Sequence, residues 1–160
     1  MITVSAAVPG DALAMAGLLE EMDCFYGAGG AGSAGDRERQ INEAVFSSQP
    51  AAWALLARDG ADLVGVAAYS FLWPAVGLTR SLYLKELYVG ERYRRQGVAR
   101  LLMQTLFEVA TRYGCSRVEW TTDISNIGAQ AFYEKLGLAA YPSKVFYRVE
   151  DTGAGVAMLS

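Results

Sequence analysis

Residues Ser81–Tyr113 bring an alternating apolar run, an arginine-rich turn and a helix-period stripe into close succession, and no other stretch constrains the fold as much. Ser81–Val89 (SLYLKELYV) has the period-two pattern of a strand. It places Leu82, Leu84, Glu86 and Tyr88 on one side and Tyr83, Lys85, Leu87 and Val89 on the other. An inserted bulge would change that assignment. Gly97–Tyr113 carries Val98, Leu101, Leu102, Thr105, Leu106 and Val109 on one helical stripe, and Gly114 follows as a stop. A strand that feeds a helix directly points to an α/β domain, in which the helix covers a face of the sheet.

The remaining segments extend this reading. Ile2–Val8 reads as a first strand, Pro9-Gly10-Asp11 ends it, and Asp11 caps an amphipathic helix over Ala12–Phe25. Gly27–Gly35 contains only small side chains and is expected as a loop that could close over substrate; a second helix, about Asp36–Ser47, follows. Ala52–Arg58 and Asp62–Ser70 flank Asp59-Gly60-Ala61 as a hairpin. Arg117–Thr122 is read as a short strand, Asn126–Leu136 as a helix stopped by Gly137, and Lys144–Glu150 as the final strand, with a short extra strand near Leu138–Tyr141. The expectation is a mixed α/β sheet within one domain over residues 1–150, followed by a frayed tail over 151–160.

Composition narrows the chemistry. At 160 residues and 52% hydrophobic, the chain suits one packed core. It has no histidine, which removes Ser-His-Asp and Cys-His nucleophiles and histidine-ligated zinc. Cys24 and Cys115 lack metal-site spacing, so no metal is expected. The net charge of -3 argues against nucleic acid as a partner. No basic residue precedes Arg37, and the longest apolar stretch, Val64–Leu78, is interrupted and too short for a bilayer. A cytoplasmic location without membrane association is therefore expected. Charge is also unevenly spread. Asp11, Glu20, Glu21, Asp23, Asp36, Glu38 and Glu43 face only Arg37 and Arg39, whereas Lys85, Arg92, Arg94, Arg95 and Arg100 outnumber Glu86 and Glu91. Such a local basic cluster suits a small anionic ligand.

The cluster lies where a helix begins. Amides at a helix N-terminus are unpaired and, with the helix dipole, attract phosphate oxygens. Gly97 and Ala99 would let a pyrophosphate approach that backbone, and Arg94 and Arg95 add positive charge. No GxxxxGK[ST] is present, and this turn carries no GxGxxG. Arg94-Arg95-Gln96-Gly97-Val98-Ala99 instead resembles the (Q/R)xxGx(G/A) acyl-CoA-binding motif of the GNAT superfamily of N-acetyltransferases. Asn126-Ile127-Gly128-Ala129-Gln130-Ala131-Phe132-Tyr133-Glu134-Lys135-Leu136-Gly137-Leu138 is similar to the same superfamily's later motif, and the resemblance covers about Tyr83–Leu138.

The resemblance implies a single-domain fold with a mostly antiparallel sheet of about six to seven strands and about four helices. It implies acetyl-CoA or another acyl-CoA as co-substrate. Arg94, Arg95, Gln96, Gly97, Val98 and Ala99 would bind the pyrophosphate, chiefly through their amides. Leu87, Tyr88 and Val89 would pair with the pantetheine arm. Asn126 would contact that arm, Phe132 would pack beside it, and Tyr133 would protonate the departing thiolate. A phenol with a pKa near about 10 suits that role. Glu86 is the first candidate for the base that receives the amine's proton; Asp123 is the second, and an amine that is already neutral needs none.

The acceptor would be a small-molecule amine. Tyr69–Trp73 and Leu82–Val89 are similar to the diamine and polyamine acetyltransferase branch, although Lys85 stands where that branch favours an acid. Glu20, Glu21, Asp23, Phe25 and Tyr26 are candidate acceptor contacts, and Trp73 could line the entrance or join a dimer contact. A homodimer is a family-based expectation. Two alternatives stand: an acyl carrier protein as donor, docking on Arg92, Arg94, Arg95 and Arg100, and a non-catalytic acyl-CoA sensor.

Overall fold

A computed structural model describes residues 1–30 and 32–160; Ala31, inside the expected glycine loop, lies outside the described residues. The chain divides into two compact units, Met1–Thr121 and Thr122–Ser160. The first contains β1 (Ile2–Ala6), α1 (Ala12–Phe25), α2 (Ala34–Val45), β2 (Trp53–Asp59), β3 (Asp62–Leu72), β4 (Arg80–Val89), α3 (Val98–Arg112) and β5 (Cys115–Trp120). The second contains α4 (Ile127–Lys135) and α5 (Thr152–Met158). The expected α/β architecture is present.

The sheet runs β1-β2-β3-β4-β5, antiparallel except for the parallel β4–β5 pair. It therefore has five strands among the described residues, fewer than the six to seven expected. Residues 144–150 and 138–141 have strand-like composition but form no strand, and Val145, Phe146 and Tyr147 are exposed. A period-two pattern becomes a strand only when a neighbour accepts its ladder, and no such neighbour pairs with this segment among the described residues. The last ten residues, expected as a frayed tail, hold α5, whose first turn is capped by the Asp151 carboxylate accepting from the Ala154 amide.

Register shows which face each residue serves. Ala68 pairs with Glu86 and Tyr69 with Leu84, so Lys85 is an extra, bulged residue and its side chain is exposed. The bulge overturns the simple alternation. Ser81, Tyr83, Glu86 and Tyr88 share the face of Val66 and Ala68, whereas Leu82, Leu84, Leu87 and Val89 share the face of Gly65, Ala67 and Tyr69. On the first face, Val66, Tyr88, Leu56 and Ala54 pack with Ala12, Met15, Ala16, Leu18 and Met22 of α1 and Ile41 of α2. On the second, Gly65 lies against Val98 and Leu102 of α3. Leu56, Leu82, Leu102 and Leu106 are fully buried, each contributing about 1.5–3 kcal/mol of apolar burial. Ser33 caps α2 by accepting from the Asp36 amide, and the Asp36 carboxylate accepts from the Ser33 amide in return.

Candidate active site

The β4–α3 connection builds the site. β5 pairs with β4 only as far as Leu84 opposite Trp120, so among the described residues of the first unit no strand pairs with the outer edge of Glu86–Val89. The Gly90 amide donates to the Val64 carbonyl of β3 at 2.9 Å. Strand alternation then turns the backbone groups of Val89 and Leu87 toward the uncovered edge. The Nε of Arg94 donates to the Val89 carbonyl at 3.1 Å, and the Val89 amide and the backbone groups of Leu87 lie on the same edge.

Beyond the strand, the chain makes a single helical turn at Glu91–Tyr93 and enters α3 through two left-handed residues, Arg95 (φ 61) and Gly97 (φ 82). Gly97 is the helix N-cap; it has no side chain to satisfy the first amides, and a Cβ there would meet nothing within 4 Å. The first amide donating along α3 is that of Leu101, to the Gly97 carbonyl at 3.0 Å. The amides of Val98, Ala99 and Arg100 therefore point out of the helix start with no intrahelical acceptor. Val98 itself is buried, so it can offer a ligand only its amide. These residues fit a pyrophosphate: unpaired donors, the positive end of a helix dipole, exposed Arg95 and free space above Gly97.

Two predicted phosphate-side groups are already engaged. Gln96 donates through Nε2 to the Arg92 carbonyl at 2.9 Å, closing the loop on itself. The Arg94 guanidinium lies 4.2 Å from the Phe25 ring centroid and 5.4 Å from that of Tyr88. Phe25 belongs to α1, so Arg94 fastens the loop to that helix as well as to β4.

The acidic candidates separate in the same way. The Glu21 Oε1 accepts from the Tyr88 hydroxyl at 2.9 Å and from the Glu91 amide at 3.2 Å. Burial, followed by the hydrogen bond to Glu21, pushes the Tyr88 phenol up to about 12, so it remains a donor. Asp23 pairs with Arg37 of α2 at 3.0 Å, which neutralises a carboxylate expected to contact the acceptor. Glu20 is half-buried on α1. Tyr26 is exposed just beyond α1, its ring edge-on to Phe25 at 5.1 Å. Glu86, half-buried, shares the α1–α2 face of the sheet with Tyr88. Trp73 is not brought to Glu86. It lies in the β3–β4 connection, at the opposite end of β4, where its indole N–H donates to the Leu78 carbonyl at 2.9 Å.

Asn126, Phe132 and Tyr133 lie together on the second unit. The Asn126 Oδ1 caps α4 by accepting from the Ala129 amide at 3.1 Å, and the rings of Phe132 and Tyr133 are 5.2 Å apart. Asp123 offers its carbonyl to the Asn126 amide at 2.9 Å. Among the described residues there is no cluster of three or more metal-ligating side chains, and no helix is long and apolar enough to cross a membrane. The Glu21–Tyr88 and Phe25–Arg94 contacts and the Asp23–Arg37 pair join residues far apart in the sequence, where only the acidity of α1 signals the two carboxylates.

Fold and site together define an α/β protein whose sheet edge and helix start can receive an extended, phosphate-bearing ligand. Residues 16–138 match the model of the Acetyltransferase (GNAT) family, and the chain belongs to that family. It is 33% identical over 120 residues to an aminoglycoside N(6')-acetyltransferase type 1 of Serratia marcescens, covering 73% of this chain and 82% of the relative. It is 30% identical over 91 residues to a thialysine N-epsilon-acetyltransferase of Mus musculus, covering 51% of this chain and 53% of that protein. Among solved structures, an integron cassette protein from the mobile metagenome of V. cholerae superposes with TM-score 0.89 at 26% identity, over 99% of this chain and 98% of the other.

Proposed function

We propose that the chain is an acyl-CoA-dependent N-acyltransferase, in the simplest case an acetyltransferase, acting on a primary amine of a small molecule. The observation that carries this reading is the uncovered edge at Leu87 and Val89 running into the open amides of α3. The edge suits the amides of a pantetheine arm and the helix start suits a pyrophosphate. In the reaction, the neutral amine attacks the thioester carbonyl, a C–N bond forms, the C–S bond breaks and the thiolate leaves. Tyr133 is the proposed donor of the proton that the thiolate takes up, a role carried over from the motif. The proton lost by the amine goes to Glu86, directly or through water, with Asp123 as the other candidate.

Free acyl-CoA is the preferred donor, because Arg94, one of four arginines that could dock a carrier protein, is stacked on Phe25 and Tyr88. With Asp23 paired to Arg37 and Glu21 held by Tyr88, Glu20 is the proposed α1 carboxylate for a cationic acceptor. The names of the Serratia and mouse relatives, which specify an aminoglycoside and thialysine, support a small-molecule acceptor.

The test incubates the purified protein with acetyl-CoA and a panel of polyamines, amino acids, aminoglycosides and peptide N-termini, following free thiol and acylated mass. We expect stoichiometric thiol and acylated amine for a small amine. Acetyl-CoA binding with no acylated product across the panel would overturn the transferase reading in favour of a sensor.

A further inference from the structure

We propose that Glu21 is a positioning residue for the acyl donor: it ties the last turns of α1 to the β4–α3 connection and so holds the amide cradle in its receptive shape. The proposal rests on the donor site described above. One oxygen of Glu21 accepts from two groups on either side of the strand end, the Tyr88 hydroxyl at 2.9 Å and the Glu91 amide at 3.2 Å. Gly90 lies between them, and a Cβ there would stand 3.6 Å from the same Glu21 oxygen. The carboxylate is therefore seated on the turn where β4 ends.

A second tie runs parallel to it. Arg94 is stacked on Phe25, four residues beyond Glu21 on α1, and its Nε holds the Val89 carbonyl. The two ties bracket the turn, Glu21 before it and Arg94 after it. The next residues are Arg95 and Gly97, the left-handed positions that aim the α3 amides outward. A non-glycine residue at φ 61 persists only where its surroundings over-determine it, and these two ties supply that constraint. Arg94, read from the motif as a phosphate contact, thereby becomes a strut, which leaves Arg95 as the motif's other arginine to face a ligand.

Glu21→Ala, Glu21→Gln and Tyr88→Phe separate this role from general stability. Glutamine keeps an acceptor oxygen at the same reach and should rescue the geometry; alanine cannot. The first readout needs no ligand: the rate of tryptic cleavage after Arg92, Arg94 and Arg95, mapped by mass. We expect it to rise at least about fivefold in Glu21→Ala and Tyr88→Phe, and to stay within about twofold of the parent in Glu21→Gln, at unchanged cleavage elsewhere. The second is acetyl-CoA affinity by calorimetry. Loss of the brace is expected to weaken the Kd about tenfold in Glu21→Ala, about 1.4 kcal/mol, and to leave it near the parent value in Glu21→Gln. Loop cleavage in Glu21→Ala equal to the parent would overturn the brace, as would equal loss in Glu21→Gln and Glu21→Ala. A parent protein that fails to bind acetyl-CoA would defeat the functional reading, while the cleavage rates would still decide the brace.

Discussion

The acid role proposed for Tyr133 comes from the motif it resembles, and what the structure adds is a phenol on a short helix beside Phe132. Tyr133→Phe removes one oxygen and leaves the ring. If the phenol protonates the thiolate, kcat should fall by about 10²–10⁴ while the acetyl-CoA Kd changes by less than about threefold. Steady-state kinetics paired with calorimetry checks both; an unchanged kcat would remove the acid from Tyr133. Glu21 shows the opposite case. Its partner Tyr88 is 67 residues away in sequence, and an acidic residue on a helix looks the same whether it meets solvent or a buried phenol. Asp23, an acceptor candidate by its acidity, likewise pairs with Arg37 on another helix, 14 residues on.

Among the elements, β4 shows where pattern reading succeeds and where it stops. The strand was legible from its apolar period, and so was the helix after it, within a residue of its ends. Which face Glu86 serves was not, because the bulge at Lys85 is defined only by the partner strand's register. Gly65 marks the other constraint on this element pair. A methyl group there would stand 3.1 Å from both Leu102 Cδ1 and Val98 Cγ1 and 3.3 Å from the Tyr88 carbonyl oxygen. Gly65→Ala should therefore destabilise the protein by about 1–3 kcal/mol, measured by urea unfolding. Because Val98 opens α3, the same change should also weaken acetyl-CoA binding. Full stability in the variant would mean that α3 sits loosely on the sheet.

Across the whole molecule, pH reports which charged groups the fold has tied down. The Val8 amide donates to the Asp11 carboxylate at 2.8 Å and, with help from Arg58, holds its pKa below the usual carboxylate value. The Ser33 hydroxyl and amide do the same for Asp36. Carboxyls depressed in this way stabilise the fold above about pH 4, where the unfolded chain is ionised too, and the benefit is lost as pH falls through their folded values. Tyr88 works at the other end. Its pKa is raised to about 12, so its contribution is intact below about pH 10 and disappears as pH climbs toward 12. Melting temperature against pH should fall at both extremes; Asp11→Asn should flatten the acid limb and Tyr88→Phe the alkaline one. By itself the sequence determined the α/β class, the strand–turn–helix unit and the motif residues, because periodicity, glycine placement and helix-start chemistry act over a few neighbouring positions. Only the tertiary structure decided that Lys85 bulges, that Arg94 braces the loop, that Asp23 is paired and that residues 144–150 stay out of the sheet. Each of those outcomes depends on a partner distant in the chain, and local propensity carries no information about which partner arrives.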